Sequence, residues 1–250
     1  MQLFDLKGKT ALITGASSGL GEQFARSLSG AGARVILAAR RIDKLNALAL
    51  KLHNARAIQM DVSDKQSIKN CFSELEQAGE RIDICVNNAG IAILTPVFEE
   101  DDNDNFESII QTNLMGVWYV TKAAANHMKN LDIHGSIINV GSVNGDAIPA
   151  KCGAAYSVSK SAVLHLTKTL VGELSPHKIR INCVSPGWIR TPMNGTDLEQ
   201  IIPLIPYGAI AEPTDLDGLI LYLASNNASK YVTGSTFTID GGMSWGGKSW

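Results

Sequence analysis

The stretch KTALITGASSGLGEQFARSLSGAG, Lys9–Gly32, decides the fold. It opens with a continuous apolar run that stops at Gly15. From Gly19 the spacing changes: Leu20, Phe24 and Leu28 recur at a helical interval, and the glycines at 30 and 32 end the pattern. Strand, glycine-rich turn and helix in that order begin a βαβ unit. The turn reads G-x-x-x-G-x-G, with Gly15, Gly19 and Gly21 enclosing Ala16, Ser17, Ser18 and Leu20. Glycine admits unusual φ values and lets a bulky group approach the backbone. The helix start presents free N–H groups and partial positive charge, the complement of a pyrophosphate.

Outward from this unit the same alternation continues. Strand-like runs occupy 34–40, 55–61, 81–90, 135–142, 178–187 and 235–242. Helical patterns fall at 43–53, at 63–79 with Ser63 as the expected cap, and along 103–130. The strands are almost continuously apolar, so both faces of their sheet are covered, and the sheet is parallel. No repeat, low-complexity tract or linker divides the chain, and one domain over 1–250 is expected.

Composition narrows the function. Net charge is −2 and the sequence pI is about 6.2, with no basic, aromatic-rich face, so binding to nucleic acid or anionic lipid is not expected. The N-terminus mixes charges with apolar residues and has no signal-peptide core, and no apolar run reaches bilayer length. Cys71, Cys85, Cys152 and Cys183 have neither metal-site nor disulfide spacing. A reduced, cytoplasmic protein without a metal is the expectation.

About twenty residues past the glycine turn, an acid would hydrogen-bond the ribose of NAD, and an arginine would accept the 2′-phosphate of NADP. The second strand ends ILAARR: Ala39 stands where the acid would be, followed by Arg40 and Arg41. NADP(H) is therefore favoured, with NAD(H) as the alternative, and Arg40 is expected to carry most of the preference. In YSVSK, Tyr156 and Lys160 are four apart, on one face of a helix.

Together these motifs resemble the short-chain dehydrogenase/reductase family in its short single-domain branch, over nearly the whole chain. The resemblance rests on TGASSGLG, Asp61–Val62, NNAG at 87–90, QTNLMG around Asn113, NVGS ending at Ser142, YSVSK, and SPGWIRTPM at 185–193, all in family order. It implies a Rossmann-type, doubly wound, seven-stranded parallel sheet with helices on both faces. It also implies a homotetramer or homodimer, and a catalytic set of Asn113, Ser142, Tyr156 and Lys160. Asp61 would meet the adenine amino group and Val62 the ring. Asn88, Ala89 and Gly90 would line the nucleotide path. Ile189 and Thr191 would hold the nicotinamide carboxamide end, and Pro186 and Gly187 would also bind cofactor.

In that setting Tyr156 is the acid/base, and Lys160, together with a positively charged nicotinamide, is expected to lower its pKa while binding ribose hydroxyls. Ser142 would hydrogen-bond the substrate oxygen. Asn113 and Gly116 lie within one long helical pattern and both carry a propensity cost. A local defect there would expose a carbonyl to a water linking Lys160 to solvent. A short substrate lid is expected at about 191–211, offering Met193, Ile201, Ile202, Leu204, Ile205 and Tyr207. Ile93, Val143, Asn144, Ile148 and Trp188 complete an apolar pocket. The expected reaction is NADPH-dependent reduction of a ketone or β-keto thioester to a secondary alcohol, or its reverse. If the substrate rides on an acidic carrier protein, Lys129, Lys151 and Arg190 are the basic contacts. The alternative is a nucleotide-binding regulator of the same fold without catalysis; the complete Asn-Ser-Tyr-Lys set argues against it.

Overall fold

The computed structural model describes residues 3–98, 105–195 and 197–246. Seven strands form one parallel sheet: β1 (Thr10–Thr14), β2 (Arg34–Ala39), β3 (Ala55–Gln59), β4 (Ile84–Asn87), β5 (Ser136–Val140), β6 (Arg180–Pro186) and β7 (Thr236–Ile239). Their order is β3-β2-β1-β4-β5-β6-β7. The helices are α1 (Gly19–Gly30), α2 (Ile42–Ala49), α3 (Lys65–Gln77), α4 (Phe106–Ile110), α5 (Gly116–Asn130), α6 (Ala154–Thr169), α7 (Val171–Leu174), α8 (Asp217–Ala224), α9 (Asn226–Ser229) and α10 (Met243–Gly246).

Side chains alternate across a strand, so each strand feeds two cores. Ala11 and Ile13 of β1 face one side, where Phe24 and Leu28 of α1 and Ile220 and Leu223 of α8 pack. Leu12 faces the other, against Phe72 and Leu75 of α3 and Val120 and Met128 of α5. This explains the unbroken apolar strands. Phe24 is fully buried, and burial of a side chain that size is worth about 1.5–3 kcal/mol over exposure. At the N-terminal edge, Arg180 donates from Nη2 to Leu223 O at 2.9 Å, so a cation meets the carbonyl end of α8.

Three expectations need correction. The cap of α3 is Asp64, not Ser63: Asp64 Oδ1 accepts from Gln66 N at 2.8 Å, while Ser63 Oγ donates to Asp61 Oδ1 at 2.7 Å. The helix expected over 103–130 is broken, with a π turn at Gln111–Met115 between α4 and α5; residues 103–104 lie outside the described residues. The run at 81–90 pairs only over Ile84–Asn87, because its C-terminal residues leave the ladder to line a cleft.

The strand order reverses between β1 and β4. From β1 the chain winds outward through β2 and β3, and from β4 outward through β5, β6 and β7. The C-terminal ends of β1 and β4 therefore open a crevice, the place where open α/β sheets take ligands. Among the described residues no helix is long and apolar enough to cross a membrane.

Candidate active site

The crevice widens into a cavity of about 1120 Å³ running along the C-terminal edge of the sheet. At one end the glycine turn is held by backbone contact. Gly15 and Gly19 have φ of +66° and +59°, and a methyl at Gly15 would lie 2.8 Å from Ala89 Cα. Thr14 Oγ1 accepts from both Asn88 N and Ala89 N at 3.0 Å, and Asn88 Nδ2 donates to Thr14 O at 3.0 Å. The start of α1 faces this cleft, and the Ser18 side chain makes no capping bond to it. Arg41 crosses the mouth: its Nη2 donates to Ser17 Oγ and Ser18 Oγ, each at 2.8 Å. Arg40 is exposed beside it and lines the same cavity.

Asp61 and Val62, expected to meet an adenine, line another part of the cavity. Asp61 Oδ1 accepts from Ser63 N at 2.9 Å. A methyl at Gly116 would sit 2.9 Å from Val62 O, so the mid-helix glycine is explained by this close approach. Cationic and N–H donors at the glycine turn, a carboxylate two strands away and glycines lining the path between fit a nicotinamide dinucleotide.

At the next position along the cavity stand Ser142, Tyr156 and Lys160. Ser142 leaves β5 in an extended conformation and accepts from Asn144 N at 3.1 Å. Its hydroxyl donates to Asn144 Oδ1 at 3.4 Å. Lys160 is buried, donates from Nζ to Val140 O at 2.8 Å, and lies 5.8 Å from the Tyr156 ring centre. Burial brings its pKa down to about 8. Burial also pushes the Tyr156 phenol up, with the Ser142 hydroxyl opposing. In the protein alone desolvation dominates, and the lowering expected from Lys160 together with a positively charged nicotinamide belongs to the cofactor-bound protein.

Asn113 does not line the cavity. It sits behind the wall in the π turn, fully buried. Its Nδ2 donates to Ile91 O at 2.9 Å and Ser159 Oγ at 3.1 Å, and its Oδ1 accepts from Ile91 N at 2.8 Å. A methyl on Gly90 would lie 3.2 Å from Asn113 Oδ1 and 3.6 Å from Lys160 Nζ, so Gly90 is where the two converge. π turns inside α-helices recur at functional sites, and the propensity defect read at Asn113 and Gly116 has this form. Ala16 and Gly21 also lie behind the wall: Ala16 is in the sheet core, and Gly21 packs on Gly15 and Asn88. The remaining residues expected to bind cofactor all line the cavity: Gly15, Ser17, Ser18, Gly19, Leu20, Arg40, Arg41, Asp61, Val62, Asn88, Ala89, Gly90, Pro186, Gly187, Ile189 and Thr191.

The far end is apolar. Val143, Asn144, Ile148, Trp188, Met193 and Ile201 line it as expected. Ile93, Ile202, Leu204, Ile205 and Tyr207 do not. Ile205 is buried in a cluster with Leu198, Ile201 and Ile210, and Tyr207 is exposed. Leu94 takes the place expected for Ile93. The reading also missed Met243, which lines the cavity just beyond β7; its signal was its position after the C-terminal end of a parallel strand. Arg190 is bound to Glu199 Oε1 at 2.9 Å and Glu212 Oε1 at 3.1 Å, so it is not a free contact for an acidic carrier.

Known proteins match the chain over nearly its whole length. The Enoyl-(Acyl carrier protein) reductase family model matches residues 15–244. Oxidoreductase UcpA of Salmonella typhimurium is 38% identical over 253 residues, covering 95% of each chain. The 3-oxoacyl-[acyl-carrier-protein] reductase FabG of Rickettsia prowazekii is 36% identical over 96% of this chain and 99% of its own. Among solved structures, a gluconate 5-dehydrogenase from Burkholderia cenocepacia in complex with NADP and tartrate superposes with a TM-score of 0.89 at 32% identity, covering 96% of this chain and 97% of that one.

Proposed function

The chain belongs to the short-chain dehydrogenase/reductase family, oxidoreductases that interconvert CH–OH and C=O, and we propose that it reduces an apolar ketone or β-keto thioester to a secondary alcohol with NADPH. The observation that carries this reading is the convergence of Ser142, Tyr156 and Lys160 on one stretch of cavity wall, between the glycine turn and the apolar end.

The bound nicotinamide supplies the hydride. The protein must hold the carbonyl and deliver a proton to its oxygen. Burial keeps Tyr156 protonated at neutral pH, which suits it as the acid of the reductive direction. As the proton leaves, the phenolate is met by the Lys160 ammonium. Ser142 donates to the carbonyl oxygen as charge develops there. With the dinucleotide bound, Lys160 would hold the ribose hydroxyls and return a proton to Tyr156. A water on a carbonyl freed by the π turn around Asn113 would resupply Lys160 from solvent.

The preference for NADPH rests on Ala39, which places no carboxylate near a 2′-phosphate, and on Arg40 and Arg41 beside Ser17 and Ser18. A single 1–250 domain, with the segment at about 191–211 acting as a lid, is part of the same reading. So is a cytoplasmic protein, consistent with four free cysteines. With Arg190 engaged, Lys129 and Lys151 remain as contacts for a carrier-bound substrate. Assembly as a homotetramer accords with Tyr231 and Trp245, which are almost fully exposed; Trp250 lies outside the described residues. Light scattering reads the mass directly, and a value near 26.7 kDa rejects assembly.

The test of the reaction is a panel of methyl ketones and β-keto thioesters, assayed with NADPH and with NADH. Turnover with NADPH preferred supports the reading. No turnover of any member, or better use of NADH, overturns it or its cofactor half.

A further inference from the structure

The chain beyond β7 does not trail away from the fold. Gly187 N donates to Ile239 O at 3.0 Å, tying the end of β7 to the end of β6. Asp240 follows so closely that a methyl on Gly187 would lie 2.7 Å from its Cβ. The Asp240 carboxylate then fixes the turn, with Oδ1 accepting from Gly242 N at 2.9 Å and Oδ2 from Ser244 N at 2.7 Å. Gly241 has φ of +63°, and a methyl there would come within 2.7 Å of Ile205 Cγ2. Its carbonyl accepts from Tyr207 N at 3.0 Å. The turn is clamped between the sheet edge and the 191–211 segment.

The clamp has one consequence for the cavity. Met243, the residue it delivers, is 5% exposed and packs with Leu198, Ile201, Ile205 and Ile210 in a cluster separate from both sheet cores. Trp188 and Ile148 pack against the same cluster, and with Met243 and Ile201 they line the cavity. Among the described residues at this end the one charged side chain is Lys151, exposed at the rim. An uncharged substituent is what this wall suits.

We infer that the turn Asp240–Met243 is the second wall of the substrate end, and that Met243 is a specificity-determining residue limiting the length of apolar substituent accepted beside the reacting carbonyl. This rests on the carbonyl-reduction reading. Met243 is the adjustable part of the wall, because a thioether side chain is unbranched and fills irregular space. Asp240 is a positioning residue, acting through the turn.

The experiment is a ladder of methyl ketones from 2-butanone to 2-undecanone, compared across wild type, Met243→Ala, Met243→Phe and Asp240→Ala. The readout is kcat/KM for the longest ketone over that for the shortest. Truncation to alanine should raise this ratio roughly ten-fold, and phenylalanine should lower it by a similar factor. Asp240→Ala should shift it in the direction of Met243→Ala, by less. Ratios unchanged in both Met243 variants, with cofactor binding intact, overturn the inference. The same two ketones are also titrated calorimetrically into the protein with NADP⁺, a pairing in which no reduction occurs. If wild type binds ketones without turning them over, the reaction reading falls, while the ratio of binding constants still decides the role of Met243. If no ketone binds at all, both fall.

Discussion

Gly15 and Met243 stand at opposite ends of one cavity and are held in different ways. Around Gly15 the contacts are backbone on backbone: a positive φ, no room for a methyl beside Ala89, and a threonine hydroxyl stitching two strand ends together. Around Met243 the contacts are side chain on side chain, in a small apolar cluster built from short 3₁₀ turns and one turn of helix. Backbone contacts at this range leave one residue type that fits. Side-chain packing tolerates any set of similar volume. The first end is therefore built for one invariant ligand, and the second can be re-cut for different ones without disturbing the sheet. Ser142, Tyr156 and Lys160 stand between them, at the junction of two ends that should respond independently to substitution.

The largest effect should come from the junction itself. Tyr156→Phe removes the proton donor and leaves both ends intact. Turnover should fall by roughly a hundred- to ten-thousand-fold, the range that positioned acids contribute. Cofactor affinity, measured by fluorescence titration, should stay within a few-fold of wild type. A loss of turnover smaller than ten-fold would move the proton source to another residue and dissolve the junction.

Lys160 shows what the junction costs the fold. Its ammonium is buried, with a pKa brought from 10.5 to about 8. A depressed pKa on a base means that the unfolded chain binds the proton more tightly. The folded state is therefore penalised below about pH 8, and the penalty fades as pH rises toward 10.5. The shift corresponds to about 3 kcal/mol at neutral pH. Lys160→Met should abolish turnover yet raise stability by up to that amount, less the lost bond to Val140 O. The buried thiols Cys71, Cys85 and Cys183 are pushed up to about 12, 12 and 11, and they act in the opposite direction above pH 9. The clean observable is the difference between the two proteins: wild type should gain on the variant from pH 8 to 10. Denaturant melts across that range would show a flat difference if the lysine were not desolvated.

The contrast between the ends also explains what could be read in advance. Gly15, Gly19, Asn88 and Gly90 are residues whose type is dictated by backbone geometry, so a one-dimensional pattern betrays them. The π turn was legible as a defect at Asn113 and Gly116, though not as a π turn, because the close approach of Val62 to Gly116 is a tertiary fact. At the far end, Ile205 and Tyr207 looked equivalent to Met193 and Ile201. Only the path of the turns sends the first pair into a buried cluster and to the surface, and the second pair to the cavity. Met243 lies 50 residues on in the chain from Met193 and reaches the same cavity through a turn fixed by Asp240. The upward push on the Tyr156 phenol in the protein alone was hidden for a related reason: sequence shows the neighbouring charge and not the desolvation.

The cofactor end has one part made of side chains, and there the contrast should weaken. Arg41 is already held by Ser17 and Ser18, whereas Arg40 is exposed beside it. A guanidinium fixed in advance loses less freedom on taking up a phosphate. Arg41→Ala should therefore lower the NADPH-over-NADH ratio of kcat/KM by about ten- to a hundred-fold, and Arg40→Ala by less. The preference should decline as salt rises, since the pair is exposed. An unchanged ratio in Arg41→Ala with a large loss in Arg40→Ala would restore Arg40 as the principal phosphate contact.

The smallest effect separates two neighbours that sequence alone does not distinguish. Ser63 and Asp64 both precede α3, and both are good cap residues. Asp64 makes the capping bond, to Gln66 N, and it is exposed. Ser63 instead turns its hydroxyl and its N–H toward Asp61, which lines the cavity. Asp64→Ala should lower stability by about 1 kcal/mol and leave the KM for the cofactor unchanged. Ser63→Ala should leave the melt nearly unmoved and raise the cofactor KM a few-fold, because Asp61 loses one of the two bonds that orient its carboxylate. The two variants thus exchange their readouts, stability for one and binding for the other. If Ser63→Ala destabilised the fold and spared the cofactor, the orientation of Asp61 would not depend on this turn, and even this part of the cofactor end would be set by backbone alone.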